Sequence, residues 1–198
     1  GIGTIPHALE AIYHWVYSLE NAVLSSMEAF YDHIERGVPR IALVDYANRE
    51  IIDSLNVAKL HKLDGIRIDT CGENYMQGVY PIMGYYSPNY KYLSYWFSKG
   101  VSVYGVYLVR KLLNDNGFEK VKIILSSGFG NPEKVKAFLD AEILFGMKLF
   151  DGLGVGGVYE SRMATMDIIE VEGKEIHKVG RLPKDDSRLK EVRYGNSK

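Results

Sequence analysis

The sequence predicts an α/β fold, an αβ barrel or an open parallel sheet. Three observations carry this. Short apolar runs alternate with amphipathic helical stretches along most of the chain. Two of the runs, 121–125 and 149–153, pass directly into the glycine-rich turns Ser126-Ser127-Gly128 and Gly154-Val155-Gly156-Gly157. Between them, Asn131-Pro132-Glu133 reads as a helix cap with proline at the first helical position and an acid in the first turn, followed by Val135, Phe138 and Leu139 at helical spacing. In both architectures ligands bind at the carboxyl ends of the strands, where both glycine turns fall. Glycine there lets ligand oxygens approach the backbone amides, so the pair of turns suits a phosphate.

Taken from its start, the chain opens with Thr4 and Pro6 as a helix start. Ile12, Trp15, Val16, Leu19, Val23, Met27, Phe30 and Ile34 then recur at steps of three and four, predicting one long helix of about 28 residues that Gly37-Val38-Pro39 stops. His7 lies in its first turn, where the helix dipole welcomes an added negative group. The opening Gly1-Ile2-Gly3-Thr4 leads into this helix without a preceding strand, as if from the middle of something longer.

Residues 41–44 form a compact strand ending at Asp45. A helix over 49–62 turns Ile51, Ile52, Leu55 and Leu60 inward, and a strand over 65–70 carries Arg67 and Asp69 near its exit. If these strands are parallel, Asp45 and Asp69 share a rim with the glycine turns. Carboxylates there suit ribose hydroxyls or Mg²⁺, and Arg67 suits a phosphate or pyrophosphate; an ion pair that merely closes the rim is the competing assignment. A tyrosine-rich stretch over about 74–100 interrupts the rhythm and reads as an insertion that packs on its own domain, as a lid or as an oligomer contact. Cys71, beside Asp69, reads as a passive thiol. A helix over 101–113 places Tyr104, Leu108 and Leu112 on one face, 166–171 and 174–179 form a hairpin about Glu172-Gly173, and 181–198 is a charged tail.

At 198 residues with 46% hydrophobic content, one substantial domain over 1–180 is expected. A net charge of -1 argues against nucleic acid as the main partner. The single cysteine excludes an internal disulfide framework, and no Cys/His cluster has zinc spacing. No apolar run approaches the roughly 20 residues of a membrane span, and no signal-peptide pattern leads the chain, so a cytoplasmic protein is expected.

The segments Gly3-Thr4-Ile5-Pro6-His7-Ala8, Leu43-Val44-Asp45, Ile66-Arg67-Ile68-Asp69-Thr70, Leu125-Ser126-Ser127-Gly128, Leu153-Gly154-Val155-Gly156-Gly157 and 167–174 occur in the same order as motifs of nicotinate phosphoribosyltransferase, nearest its archaeal branch. The chain resembles the later half of that family, the part forming most of an irregular, partial TIM-like barrel. The family's N-terminal domain has no counterpart in it. The resemblance implies a type II phosphoribosyltransferase that makes nicotinate mononucleotide from nicotinate and phosphoribosyl pyrophosphate, coupled to ATP and using Mg²⁺. It implies that His7 is the active-site histidine, that Arg67 and Asp69 handle pyrophosphate and ribose, and that Thr4, Asp45, Ser127, Gly128, Gly154, Gly156 and Gly157 line the substrate and phosphate site. It also implies a homo-oligomer and a separate N-terminal part. A quinolinate phosphoribosyltransferase and a noncatalytic phosphate-ligand or assembly subunit are the alternatives.

Overall fold

The computed structural model describes residues 4–60, 63–81, 93–156 and 166–181. Its centre is a sheet of four parallel strands in the order β1-β2-β3-β4: β1 (Ile41–Leu43), β2 (Gly65–Ile68), β3 (Lys122–Leu125) and β4 (Gly152–Leu153). The register pairs Leu43 with Arg67, Ile68 with Leu125, and Leu125 with Leu153. Thr4 adds a parallel bridge to Ile41 at the outer edge of β1. Leu43, Ile66, Ile68, Ile123 and Leu125 are all fully buried. Helices cover them, which is why these strands read as unbroken apolar runs. Among the described residues the sheet is open. The expected irregular, partial barrel is not shown by it: a full TIM-type barrel takes eight strands, and the sheet of the described residues has four.

The long first helix is two. Helix α1 (His7–Val16) ends as Ser18 turns fully extended, a short 3₁₀ turn (Leu19–Asn21) follows, and α2 (Ala22–His33) resumes. Asn21 Nδ2 donates to Ser18 Oγ at 3.2 Å, the local side-chain bonding by which serine and asparagine favour turns over helix. The break lets the two helices pack on each other. It leaves Ile12, Trp15 and Val16 on the outside.

Helix α3 (Glu50–Ala58) also turns a different face inward than its apolar residues predict. Glu50, Asp53, Ser54, Val57 and Ala58 are buried, while Ile52 is exposed. In α4 (Val103–Asp115) the buried face is Val106, Val109, Arg110 and Leu113, offset from the expected Tyr104, Leu108 and Leu112. Its cap is Ser102, whose hydroxyl accepts from the Gly105 amide. Helix α5 (Pro132–Phe145) starts as expected, with Asn131 Oδ1 accepting from the Glu133 amide at 3.0 Å. Phe138 is buried but Leu139 is 45% exposed.

Of the tyrosine-rich stretch, 82–92 lie outside the described residues. The flanking rings pack within the domain: Trp96 stands 5.5 Å from Phe145, and Tyr107 stacks on Phe145 at 4.4 Å between centroids. The hairpin is shorter than expected, β5 (Glu170–Val171) against β6 (Lys174–Glu175). It turns through left-handed Glu172 and Gly173, as a tight hairpin turn requires. The tail beyond Arg181 is outside the described residues.

Candidate functional site

All four strands are parallel, so their carboxyl ends meet on one rim. The ladder continues a step beyond each strand, with Val44 N bonded to Arg67 O, Ser126 N to Ile68 O and Gly154 N to Leu125 O. These bonds fix the residues that follow. Asp45 lies beyond β1, Asp69 beyond β2, Ser126 to Gly128 beyond β3, and Gly154 to Gly156 beyond β4.

Arg67 links two of these exits. Its Nε donates to Ser126 Oγ at 3.1 Å and its NH2 group to Asp69 Oδ2 at 2.6 Å. The pair is only half-buried, so it stays within reach of a ligand. Next to it, Ser127 (φ 71°) and Gly128 (φ 83°) are both left-handed. Gly128 adopts that conformation freely, and Ser127 is held in it by Lys134, whose Nζ donates to the Ser127 carbonyl at 2.9 Å. Turns of this kind form anion-binding concavities. The β4 exit closes against them: a Cβ on Gly154 would lie 3.1 Å from Ser126 Cβ, and one on Gly130 would lie 3.0 Å from Gly156 O. Lys134 is buried, with Nζ 4.5 Å from the Phe129 ring centre, and burial lowers its pKa to about 8.

On the β1 side the fully buried Asp45 divides its carboxylate between two partners. His7 Nε2 lies 3.4 Å from Oδ1, and the buried Lys178 ammonium donates to Oδ2. Burial alone would push the Asp45 pKa up, but the His7 bond and the Lys178 charge outweigh it and hold the value at about 2. Lys178 also donates to the Asp69 carbonyl at 2.9 Å, joining the β1 and β2 exits. Glu10, one turn along α1, has Oε2 4.0 Å from His7 Nε2, and neither of its oxygens has a hydrogen-bond partner among the described residues. Burial, and then the Asp45 charge, raise its pKa well above the ordinary range. Behind them Glu50 accepts from Thr70 Oγ1 at 2.7 Å and from Gln77 N at 2.9 Å. His7, Tyr46 and Lys178 line a cavity of about 360 Å³ that Asp167 and Ile168 border.

The structure thus brings His7 and Asp45 into one cluster, and Arg67, Asp69, Ser127, Gly128, Gly154 and Gly156 into the adjoining one. Thr4 is spent on the sheet edge, its hydroxyl donating weakly to Ile5 O at 3.4 Å. Gly157 lies outside the described residues. The buried Cys71 thiol faces Val179 O at 3.8 Å, and burial raises its pKa. Among the described residues no three His, Cys, Asp or Glu side chains are placed to hold a metal ion. Asp45 is occupied by His7 and Lys178, and Asp69 by Arg67, so these carboxylates do not by themselves form a magnesium site.

Lys178 and Lys134 escaped the sequence reading. The signal for Lys178 was its place two residues from Ile176, on the same face of the strand expected over 174–179. For Lys134 it was a cation in the first turn of a helix, where the dipole disfavours positive charge unless an anion is near.

No helix among the described residues is long and apolar enough to cross a membrane. No family model and no curated protein matches the chain. Among solved structures it is similar to the crystal structure of nicotinate-nucleotide pyrophosphorylase from Pyrococcus furiosus, at 29% identity and a TM-score of 0.53, over 92% of this chain and 38% of that one. The chain therefore spans little more than a third of the length of that structure's chain. That likeness, together with the parallel sheet and its shared rim, supports a phosphoribosyltransferase fold for this chain.

Proposed function

We propose that this chain carries the phosphoribosyl-handling part of a phosphoribosyltransferase in pyridine nucleotide synthesis, with nicotinate as the base and ATP coupling through His7. The observation that carries the reading is the convergence of Arg67, Asp69 and the Ser127-Gly128 turn at neighbouring strand exits. Transfer from phosphoribosyl pyrophosphate passes through an oxocarbenium-like state, so the protein's work is to anchor the 5'-phosphate, stabilise the departing pyrophosphate and align the base. The left-handed turn, with Lys134 beneath it, serves as the anchor. Arg67 faces the pyrophosphate, and Asp69 faces the ribose hydroxyls. Magnesium bound to the pyrophosphate itself would supply charge neutralisation there. His7 is the phosphoryl acceptor: with Nε2 engaged by Asp45, Nδ1 is the nitrogen left for the transfer. A complete pocket draws on a second copy or a separate N-terminal part, in a cytoplasmic assembly.

Quinolinate is the second reading. The named activity of the Pyrococcus structure, acting on nicotinate nucleotide, keeps pyridine carboxylates of both kinds in view. A second carboxylate asks for further cations, whereas Arg67 and Lys178 already face carboxylates of this chain. The test is calorimetric titration with phosphoribosyl pyrophosphate and magnesium, followed by turnover assays with nicotinate or quinolinate, with and without ATP. Binding with nicotinate turnover supports the proposal. Binding without turnover in the presence of the completing polypeptide points to a noncatalytic subunit, and no binding ends the reading.

A further inference from the structure

The short hairpin is followed by a segment that runs across the strand exits. Val179 N donates to Tyr46 O at 2.9 Å, Asn74 Nδ2 donates to Val179 O at 3.1 Å, and Arg181 N donates to Lys178 O at 3.0 Å. With Val179 tied on both sides and Ile176 buried, the Lys178 side chain is directed inward, where its ammonium bridges Asp45 and the Asp69 carbonyl. Gly180 makes this path possible. Its φ is +87°, and a Cβ there would collide with the Asn74 side chain and come within 2.7 Å of Cys71 Sγ.

An ion pair buried this deeply is weak evidence for a stabilising role, because well-packed apolar residues of similar volume often do as well. What it does fix is direction. With Oδ2 clamped by Lys178, Asp45 can offer only Oδ1 to His7, whose other near neighbours are Glu10 Oε2 at 4.0 Å and the Tyr46 ring at 6.3 Å between centroids. We propose that Lys178 is a positioning residue for His7, acting through Asp45, and that residues 176–180 are the strap that delivers it. The carboxylate keeps the imidazole proton on Nε2 and so leaves Nδ1 unprotonated. The inference rests on His7 being a working residue of the proposed site. It adds that its tautomer depends on a side chain from the far end of the described chain.

The test uses ligand-free protein with ¹⁵N-labelled histidine. In the parent, His7 Nε2 is expected to read as protonated and Nδ1 as unprotonated. Lys178→Met is expected to shift both signals towards a mixture of tautomers, and Lys178→Arg to restore the parent pattern. Reaction of Cys71 with a disulfide reagent reports the strap separately. It stays slow in Lys178→Met and rises on the order of tenfold or more in Gly180→Ala, where the strap is displaced and the His7 signals change as well. If Lys178→Met does not fold, Gly180→Ala decides alone. Parent-like His7 signals in Lys178→Met, or in a Gly180→Ala protein with exposed Cys71, overturn the proposal. No ligand is present in these measurements, so their failure leaves the phosphoribosyl pyrophosphate titration standing, and the reverse holds equally.

Discussion

Arg67 on β2 and Ser126 just past the end of β3, 59 residues apart in sequence, meet at 3.1 Å through Nε and Oγ. The bond orients the guanidinium along the rim while NH2 rests on Asp69. Arg67→Ala is therefore expected to weaken binding of pyrophosphate and phosphoribosyl pyrophosphate by about 2 to 4 kcal/mol, and Ser126→Ala by only about 0.5 to 1.5 kcal/mol. Isothermal titration of both variants checks this, and equal losses would remove the distinction between ligand contact and support.

His7→Ala is expected to leave ATP-independent transfer near the parent rate while removing the stimulation by ATP. Product formation measured at matched substrate with and without ATP separates the two, and a loss of both would assign His7 to the transfer step itself.

Lys134 sits under the Gly128 turn with its pKa lowered to about 8 by burial. It is charged below that pH and neutral above it, so inorganic phosphate is expected to bind less tightly as pH rises through about 8. In Lys134→Met phosphate binding is expected to be weaker at low pH and flat across this range. The same depression means the folded state resists charging this lysine, a penalty felt at all pH values below its ordinary pKa of 10.5 and largest below about 8. Lys134→Met should accordingly lose this pH-dependent term, so that its urea midpoint changes with pH less than the parent's between about 8 and 10, while it lowers phosphate affinity.

Asp53 and Asp45 pull stability in opposite directions with pH. Burial raises Asp53 from 3.8 to about 7, so the folded state holds its proton. Its contribution is greatest below the unfolded pKa and is lost as pH rises to about 7, for roughly 1 to 4 kcal/mol in all. Asp53→Asn is expected to raise the urea midpoint at pH 8 and to change it little at pH 4. Asp45, held at about 2, contributes stability above its unfolded pKa that is lost as pH falls towards that value. Urea midpoints taken across the acid range should show Asp45→Asn destabilised near neutrality and insensitive to this loss.

Gly105 lies inside α4, where alanine normally gains about 0.5 to 1 kcal/mol over glycine. Here a Cβ would stand 2.8 Å from Met76 Cβ, in a fully packed core. Gly105→Ala is expected to destabilise by roughly 1 to 3 kcal/mol, and Met76→Ala, which removes the close Sδ and Cε but keeps Cβ, to relieve only part of that in the double variant. Thermal melts of the four proteins complete the cycle, and a neutral Gly105→Ala would show that Met76 can move aside.

The strands and their rim were legible because their cause is local. β1, β2 and β3 are buried apolar runs, and α5 is started by its own Asn131 and Pro132. Arg67, Asp69 and Gly128 could be placed together from strand ends alone. The break between α1 and α2 was hidden by an apolar spacing that continues through Ser18. The inward face of α3 was hidden because its buried residues include Glu50, Asp53 and Ser54, which the hydrophobic pattern does not mark. The irregular, partial barrel was an expectation of the resemblance, and the four parallel strands of the described residues form an open sheet. Lys178 was out of reach for a different reason: its carboxylate partner is 133 residues away, and no local pattern specifies such a pairing.

That same separation has a consequence for how the protein is made. Asp45 leaves the ribosome long before Lys178, and contacts so distant in sequence close late, after the entropy of the intervening loop has been overcome. Until the hairpin settles, the sheet carries an unneutralised carboxylate at its mouth. The order of closure expected from this separation is therefore the strand exits first and their charge balance second, completed when residues 176–180 dock.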